Sequence, residues 1–303
     1  LANRAMFMQR VQAALQGKWH KEAGRPYYGK ESFVKKALSS IDYRAISDDD
    51  AHWRPFQLAF LVMSLCGIVE AGTGKTDDRM LVDLIWFPTG GGKTEAYLGL
   101  SAFTIFYRRF AHPEDYGGTN ILMRYTLRML TAQQFTRAAT LICACELIRR
   151  QCSAPAAVGR GRRRQVESPY PRYDGLGTEP VSIGLWIGSE HSPNKYGDAV
   201  DAAKKDFNKE NMFQVLRCPW CGTEMVPASG RGNTAGCGYL AEKDSFRFVC
   251  PQDGCEFSQK NGGLPLQVVD EGLYEAPPTL LIGTIDKFAQ MARRGDVQNF
   301  FSK

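Results

Sequence analysis

Seven consecutive residues, Pro88-Thr89-Gly90-Gly91-Gly92-Lys93-Thr94, have the composition of a phosphate cradle. Adjacent glycines let the backbone turn with its N–H groups pointing inward, a lysine can reach the terminal phosphates, and a threonine hydroxyl can take magnesium. Val82 to Phe87 read as a strand leading into the turn, and Glu95-Ala96-Tyr97-Leu98 open a helix whose positive dipole end favours an anion. The expected ligand is therefore a nucleoside triphosphate with Mg2+. Thr89, Gly90, Gly91, Gly92, Lys93, Thr94 and Glu95 are the expected binding residues, and Lys93 and Thr94 the ones in catalytic contact. Phe87 departs from the usual pattern, which opens with Gly or Ala. A rival loop, Gly72-Thr73-Gly74-Lys75-Thr76, lies between an apolar helical stretch (Phe56 to Val69) and Asp77-Asp78-Arg79. With no strand before it and no apolar helix after it, it reads as a surface turn.

Cysteines supply the second chemistry. Cys218-Pro219-Trp220-Cys221 and Cys250-Pro251-Gln252-Asp253-Gly254-Cys255 are two short knuckles, 28 residues apart. Thiolates two to four residues apart in a tight turn can aim at one ion, and two such turns complete a tetrahedral Zn2+ site. Four cysteine ligands leave no open coordination position, so the metal is expected to be structural. Cys237, between the knuckles in Ala235-Gly236-Cys237-Gly238, is a possible substitute ligand. Cys66, Cys143, Cys145 and Cys152 lie in or near apolar helical stretches and read as packed thiols.

The elements that must position these groups follow from periodicity. Residues 3–16, 31–39, 56–69 and 131–150 read as helices, residues 198–209 as a charged helix and 286–293 as another. Thr119 to Arg124, Val181 to Ile187 and Thr279 to Gly283 read as strands, and Val269-Asp270-Glu271 as part of a Gly-rich turn. Asp48-Asp49-Asp50 suits a helix cap or an acidic turn. Strands alternating with helices call for an α/β fold with a parallel sheet, helices on both faces and the phosphate loop at its carboxyl edge. Residues 154–178 turn to Pro, Gly and Arg, including Gly159-Arg160-Gly161-Arg162-Arg163-Arg164. That loop suits a solvated linker or a nucleic-acid contact. With 303 residues, 44% of them hydrophobic, the chain can bury a large core plus an insertion. A net charge of +6 is compatible with nucleic acid without requiring it. No apolar run approaches the ~20 residues that span a bilayer. Nine cysteines without a secretory leader favour metal ligands and thiols over disulfides, as expected of a cytoplasmic bacterial protein.

Arg54-Pro55-Phe56-Gln57, the phosphate loop, Arg124-Tyr125-Thr126-Leu127-Arg128 with Gln133-Gln134, and Gly283-Thr284-Ile285-Asp286-Lys287-Phe288 follow one another in a recognisable order. Together they resemble the N-terminal motifs of superfamily-two helicases, and within that superfamily they are most similar to the large helicase subunits of DISARM phage-defence systems. The resemblance covers roughly residues 50–295. It implies a RecA-like ATP-binding lobe that works on nucleic acid, DNA before RNA, in company with other subunits of a defence complex. It implies that Gln57 favours ATP by reading the adenine edge, although a polar residue at an ordinary helix start is equally compatible with the residues alone. It also implies that Arg124, Thr126, Arg128, Gln133, Thr284 and Lys287 grip the sugar-phosphate backbone, with no reading of base sequence. The domain order expected is a helical segment (1–50), the first part of the lobe (51–150), the basic loop (151–180), more of the lobe (181–210), the cysteine module (211–262) and a return to the lobe (263–303). The family's acidic motif is expected after Lys303, which would make the chain the first motor lobe of a longer ATPase, inactive by itself. A nucleotide-binding scaffold without strand-separating activity is the alternative.

Overall fold

The computed structural model describes residues 1–16, 19–22, 25–28, 52–69, 82–86, 88, 90–126, 128–153, 175–204, 212–225, 238–291 and 295–301. Expected features at 31–39, 48–50 and 72–79, and nearly all of the basic loop, lie outside those residues. The elements in chain order begin with α1 (Ala2–Gln16), the hairpin β1 (Trp19–Glu22) and β2 (Arg25–Tyr28), α2 (Pro55–Val69), α3 (Lys93–Ala111), β3 (Ile121–Tyr125) and α4 (Arg128–Ser153). They continue with β4 (Ile183–Trp186), α5 (Tyr196–Lys204), the hairpin β5 (Tyr239–Glu242) and β6 (Ser245–Phe248), β7 (Leu266–Gln267), α6 (Asp270–Glu275), β8 (Leu280–Thr284) and α7 (Ile285–Ala289).

Four strands form an all-parallel sheet in the order β3-β8-β4-β7, as an α/β pattern requires. In β8, Leu280 and Ile282 face one side and Leu281 the other; in β4, Ile183 and Leu185 share the first side and Trp186 the second. α4 covers the first side, with α1 and α3 packed against it. The second side is covered over β4 and β8 by α6, α7 and the short 3-10 turn Gly295–Phe300. That cover stops short of the edge strand, where Leu122 is 40% exposed and Arg124 is exposed beside it.

Local sequence accounts for the main helices. α3 starts on the left-handed Gly92, carries Glu95 in its first turn and Arg108 and Arg109 in its last, each charge matched to the helix dipole. Its Arg109 is buried and donates to the carbonyls of Leu176, Glu179 and Pro180, fixing the approach to β4; burial pushes its pKa down, with Arg149 adding to the effect. α4 buries almost every side chain from Ala138 to Arg149. Its Glu146 accepts from Arg149, Arg150 and the Val181 backbone N–H, so the helix holds the same approach from the other side. Two features differ from the sequence expectation. Asp270 and Glu271 lie in the helix α6, because the acidic pair sits at its N-terminal turn, where the dipole favours it. Cys66 is exposed, since α2 turns only part of its surface toward α3. No helix among the described residues is long and apolar enough to cross a membrane.

Candidate nucleotide and metal sites

The phosphate loop departs from expectation on its incoming side. Residues 82–86 form no strand; Val82, Leu84 and Trp86 are 94%, 82% and 86% exposed. An alternating apolar run becomes a strand only when a neighbour completes its hydrogen-bond ladder, and among the described residues none does. Beyond it, Gly91 N–H donates to the Pro88 carbonyl, and Gly90 and Gly92 take φ of 83° and 89°, a region closed to most side chains. α3 then begins at Lys93, with Lys93 and Thr94 half-buried in its first turn. Thr89 lies outside the described residues. Glu95 pairs with Arg137 of α4, joining the first turn of α3 to the helix that leaves the carboxyl end of β3. The loop also rests on α2: Arg54 Nη1 donates to the Gly91 carbonyl (2.9 Å) and Gln57 Nε2 to the Gly92 carbonyl (2.7 Å). These residues fit a triphosphate: Gly90 to Gly92 with the helix start would take the phosphates, Lys93 their charge, and Thr94 the Mg2+ that screens them.

The residues expected to grip a nucleic-acid backbone do gather at the carboxyl edge of the sheet, where Arg124 pairs in register with Gly283 and Tyr125 with Thr284. They do not all face the same way. Arg124, Thr126 and Gln133 are exposed, and the Arg128 side chain lies outside what the structure describes. Thr284 is 2% exposed and Lys287 6%. Lys287 Nζ donates to Asp270 Oδ2 at 2.6 Å and stands 5.6 Å from the Trp186 ring centroid, so its charge is spent inside the protein. The edge thus has an outer set on β3 and α4 and an inner set on β8 and α7.

The two cysteine knuckles converge. The sulfurs of Cys218, Cys221, Cys250 and Cys255 all lie within 4.8 Å of one another and all four residues are buried. Tetrahedral zinc with Zn–S bonds of about 2.3 Å needs sulfurs about 3.8 Å apart, so the set fits that ion closely. Each knuckle is closed by its own backbone: Cys218 N–H donates to Thr223 O and Gly222 N–H to Cys218 O; Cys250 N–H donates to Phe257 O. Gly222 has φ of 75°, which explains the Gly after the first pair. Burial pushes the Cys218 thiol up, whereas hydrogen bonds from Cys218 and Cys250 hold Cys221 down; four buried thiolates cannot coexist without a cation. Cys237 lies outside the described residues. Cys143, Cys145 and Cys152 are packed thiols, and burial pushes Cys145 up to about 12.

No family model matches the chain. Against curated proteins, it is 36% identical over 265 residues to the DISARM protein DrmA of Bacillus paralicheniformis. The match takes in 81% of this chain and 20% of DrmA, so the chain spans about a fifth of that protein's length. The expected closeness to the large helicase subunit of DISARM systems is borne out. Similarity to DrmA does not by itself pick out three residues that the geometry brings forward. Arg137 is a single charge and Asp270 half of an acidic pair, both in stretches without a motif, and their partners, Glu95 and Lys287, give them meaning. Arg54 is different, because it stands three residues before Gln57, the spacing at which a glutamine side chain reaches back to a helix start.

Proposed function

We propose that this chain is the first motor lobe of an ATP-dependent nucleic-acid helicase or translocase, DNA before RNA, acting in a DISARM-type phage-defence complex with other subunits. The observation that carries the reading is the left-handed Gly90–Gly92 turn at the head of α3, with Lys93 and Thr94 in the first turn and Glu95 tied to the helix that follows β3. A helix start with inward N–H groups binds phosphate through its dipole, and Lys93 adds the charge that the β- and γ-phosphates demand. The exposed Arg124, Thr126 and Gln133 lie at the adjacent sheet edge, where they suit a sugar-phosphate backbone. The relation to DrmA supports the defence setting. In the complete protein, Lys93→Ala is expected to abolish ATP hydrolysis while Lys75→Ala leaves it intact. Equal losses from both would mean that the other loop binds the nucleotide.

The alternative is an ATP-binding scaffold, and the burial of Thr284 and Lys287 favours it, because those side chains are turned away from solvent. Stimulation of hydrolysis by DNA separates the two: a motor shows it and a scaffold does not.

A further inference from the structure

Gln57 stands at the third position of α2, after Arg54 at the cap and Pro55 at the first turn. Its Oε1 accepts the Arg54 backbone N–H at 2.8 Å, the returning half of a capping box. With the oxygen held there, the amide nitrogen is turned toward the phosphate loop and donates to the Gly92 carbonyl at 2.7 Å. The same cap residue sends its guanidinium to the Gly91 carbonyl at 2.9 Å. Gln57 is 4% exposed, and each end of its amide already has a partner.

The consequence lies in the peptide units. In a trans peptide the carbonyl and the next residue's N–H point in opposite directions. Holding the Gly91 and Gly92 carbonyls against α2 therefore turns the N–H groups of Gly92 and Lys93 away from it. Those are the two N–H groups at the very start of α3, the ones a phosphate meets first. Gly92 is also sterically committed: a Cβ there would stand 2.7 Å from Gln57 Nε2.

We infer that Arg54 and Gln57 are positioning residues that clamp the phosphate loop with its N–H groups turned away from α2 and toward the phosphate, and that Gln57 does not select the adenine base. This rests on the reading of residues 90–94 as the nucleotide site. An adenine edge needs an amide N–H and a lone pair open to the ligand, and with Oε1 held at the helix cap, Nε2 at Gly92 and the residue 4% exposed, the amide is turned to the protein instead. The clamp acts on the phosphate end of any ligand, whatever base it carries.

The test uses the complete protein and measures affinity for Mg2+-ATP, Mg2+-GTP and inorganic tripolyphosphate. Gln57→Ala is expected to weaken all three by one common factor, about three- to tenfold, the worth of one hydrogen bond. Arg54→Ala is expected to do the same, and Arg54→Lys, which keeps a donor, to recover part of the loss. The melting temperature without ligand should move by only a few degrees in each variant. Loss of ATP affinity with GTP and tripolyphosphate unchanged would overturn the inference and assign Gln57 to the base. Equal melting shifts in Arg54→Ala and Arg54→Lys, with no rescue of binding by lysine, would overturn the share given to Arg54. If the unmodified protein binds none of the three ligands, the nucleotide reading itself falls, a result distinct from either.

Discussion

Lys287 offers the sharpest test of how the sheet edge works, because its expected role and its placement pull apart. As a backbone contact it would be a surface cation, and its removal would weaken DNA binding and leave folding alone. In the structure it is 6% exposed, bonded at 2.6 Å to Asp270, itself 2% exposed, and stacked over Trp186. Lys287→Met keeps the aliphatic stem and removes the charge, stranding a buried carboxylate. Breaking one side of such a pair costs about 3–5 kcal/mol, or about 5–8 °C in melting temperature for a protein of this size. Asp270→Leu should cost a similar amount, and the double variant should recover most of the loss, because an apolar pair of matching volume replaces a buried ion pair at little cost. The assay is thermal unfolding of the four proteins, run beside DNA binding at two salt concentrations. Arg124→Ala, at an exposed position, is the contrast: stability within about 0.5 kcal/mol and a shallower salt dependence of binding. Should Lys287→Met cost under about 1 kcal/mol and flatten the salt dependence as Arg124→Ala does, Lys287 faces phosphate and the buried pair is not its working state.

Elemental analysis should find about one zinc per chain; Cys250→Ser or Cys255→Ser should lose it and Cys143→Ser keep it, with affinity falling as acid reprotonates the thiolates. Glu146 sits buried, which by itself raises its pKa, but hydrogen bonds from Arg149, Val181 and Arg150 outweigh burial and hold it below its usual value. A depressed carboxylate adds stability above its unfolded pKa and loses it as pH falls through the folded one; Glu146→Gln should therefore lower the urea midpoint at pH 7, with the gap to the unmodified protein narrowing below about pH 4. At Gly283 an added Cβ would meet the Trp186 carbonyl at 2.8 Å, so Gly283→Ala should cost about 1–3 kcal/mol in urea unfolding even though its φ is ordinary; a neutral result would show that β4 and β8 can part locally.

Most of the sheet could be read from the chain. Ile121–Tyr125, Ile183–Trp186 and Leu280–Thr284 are short apolar runs punctuated by Gly and Pro, and α2 and α4 are stretches too long for strands, so local pattern and final structure agree. The cysteine set was legible for another reason: metal geometry restricts spacing, and spacing is visible in sequence. What stayed hidden depended on partners distant in the chain. Val82 to Trp86 has the composition of a strand, but a strand needs a neighbour, and sequence does not state which edge is taken. The inward turn of Lys287 follows from Asp270, 17 residues earlier, a pairing that no local rule gives. From the sequence Gln57 reads equally as an adenine contact and as a polar group at a helix start, whereas its engagement with Gly92 requires the loop and the helix to be placed side by side.

The metal knuckles and the sheet are joined through one helix. α4 leaves the carboxyl end of β3, packs on β3, β4 and β8, and donates from Thr140 Oγ1 to the Pro219 carbonyl inside the first knuckle. One turn from its end, Arg150 donates to the Glu256 and Asn261 carbonyls and lies 5.1 Å from the Phe257 ring centroid, beside the second knuckle. Cys218, Cys221, Cys250 and Cys255 share an apolar cluster with Phe135, Ala139, Ile142 and Ile148 of that helix and with Ile183 and Ile282 of the sheet. Close-packed interiors transmit displacement because there is no void to absorb it. A change in the spacing of the four sulfurs would therefore press on α4. The same helix carries Gln133 on its exposed surface and, through Arg137, holds Glu95 at the mouth of the phosphate loop. An ion held by the four sulfurs would thus lie against the helix on which both the loop and the proposed backbone-binding edge depend.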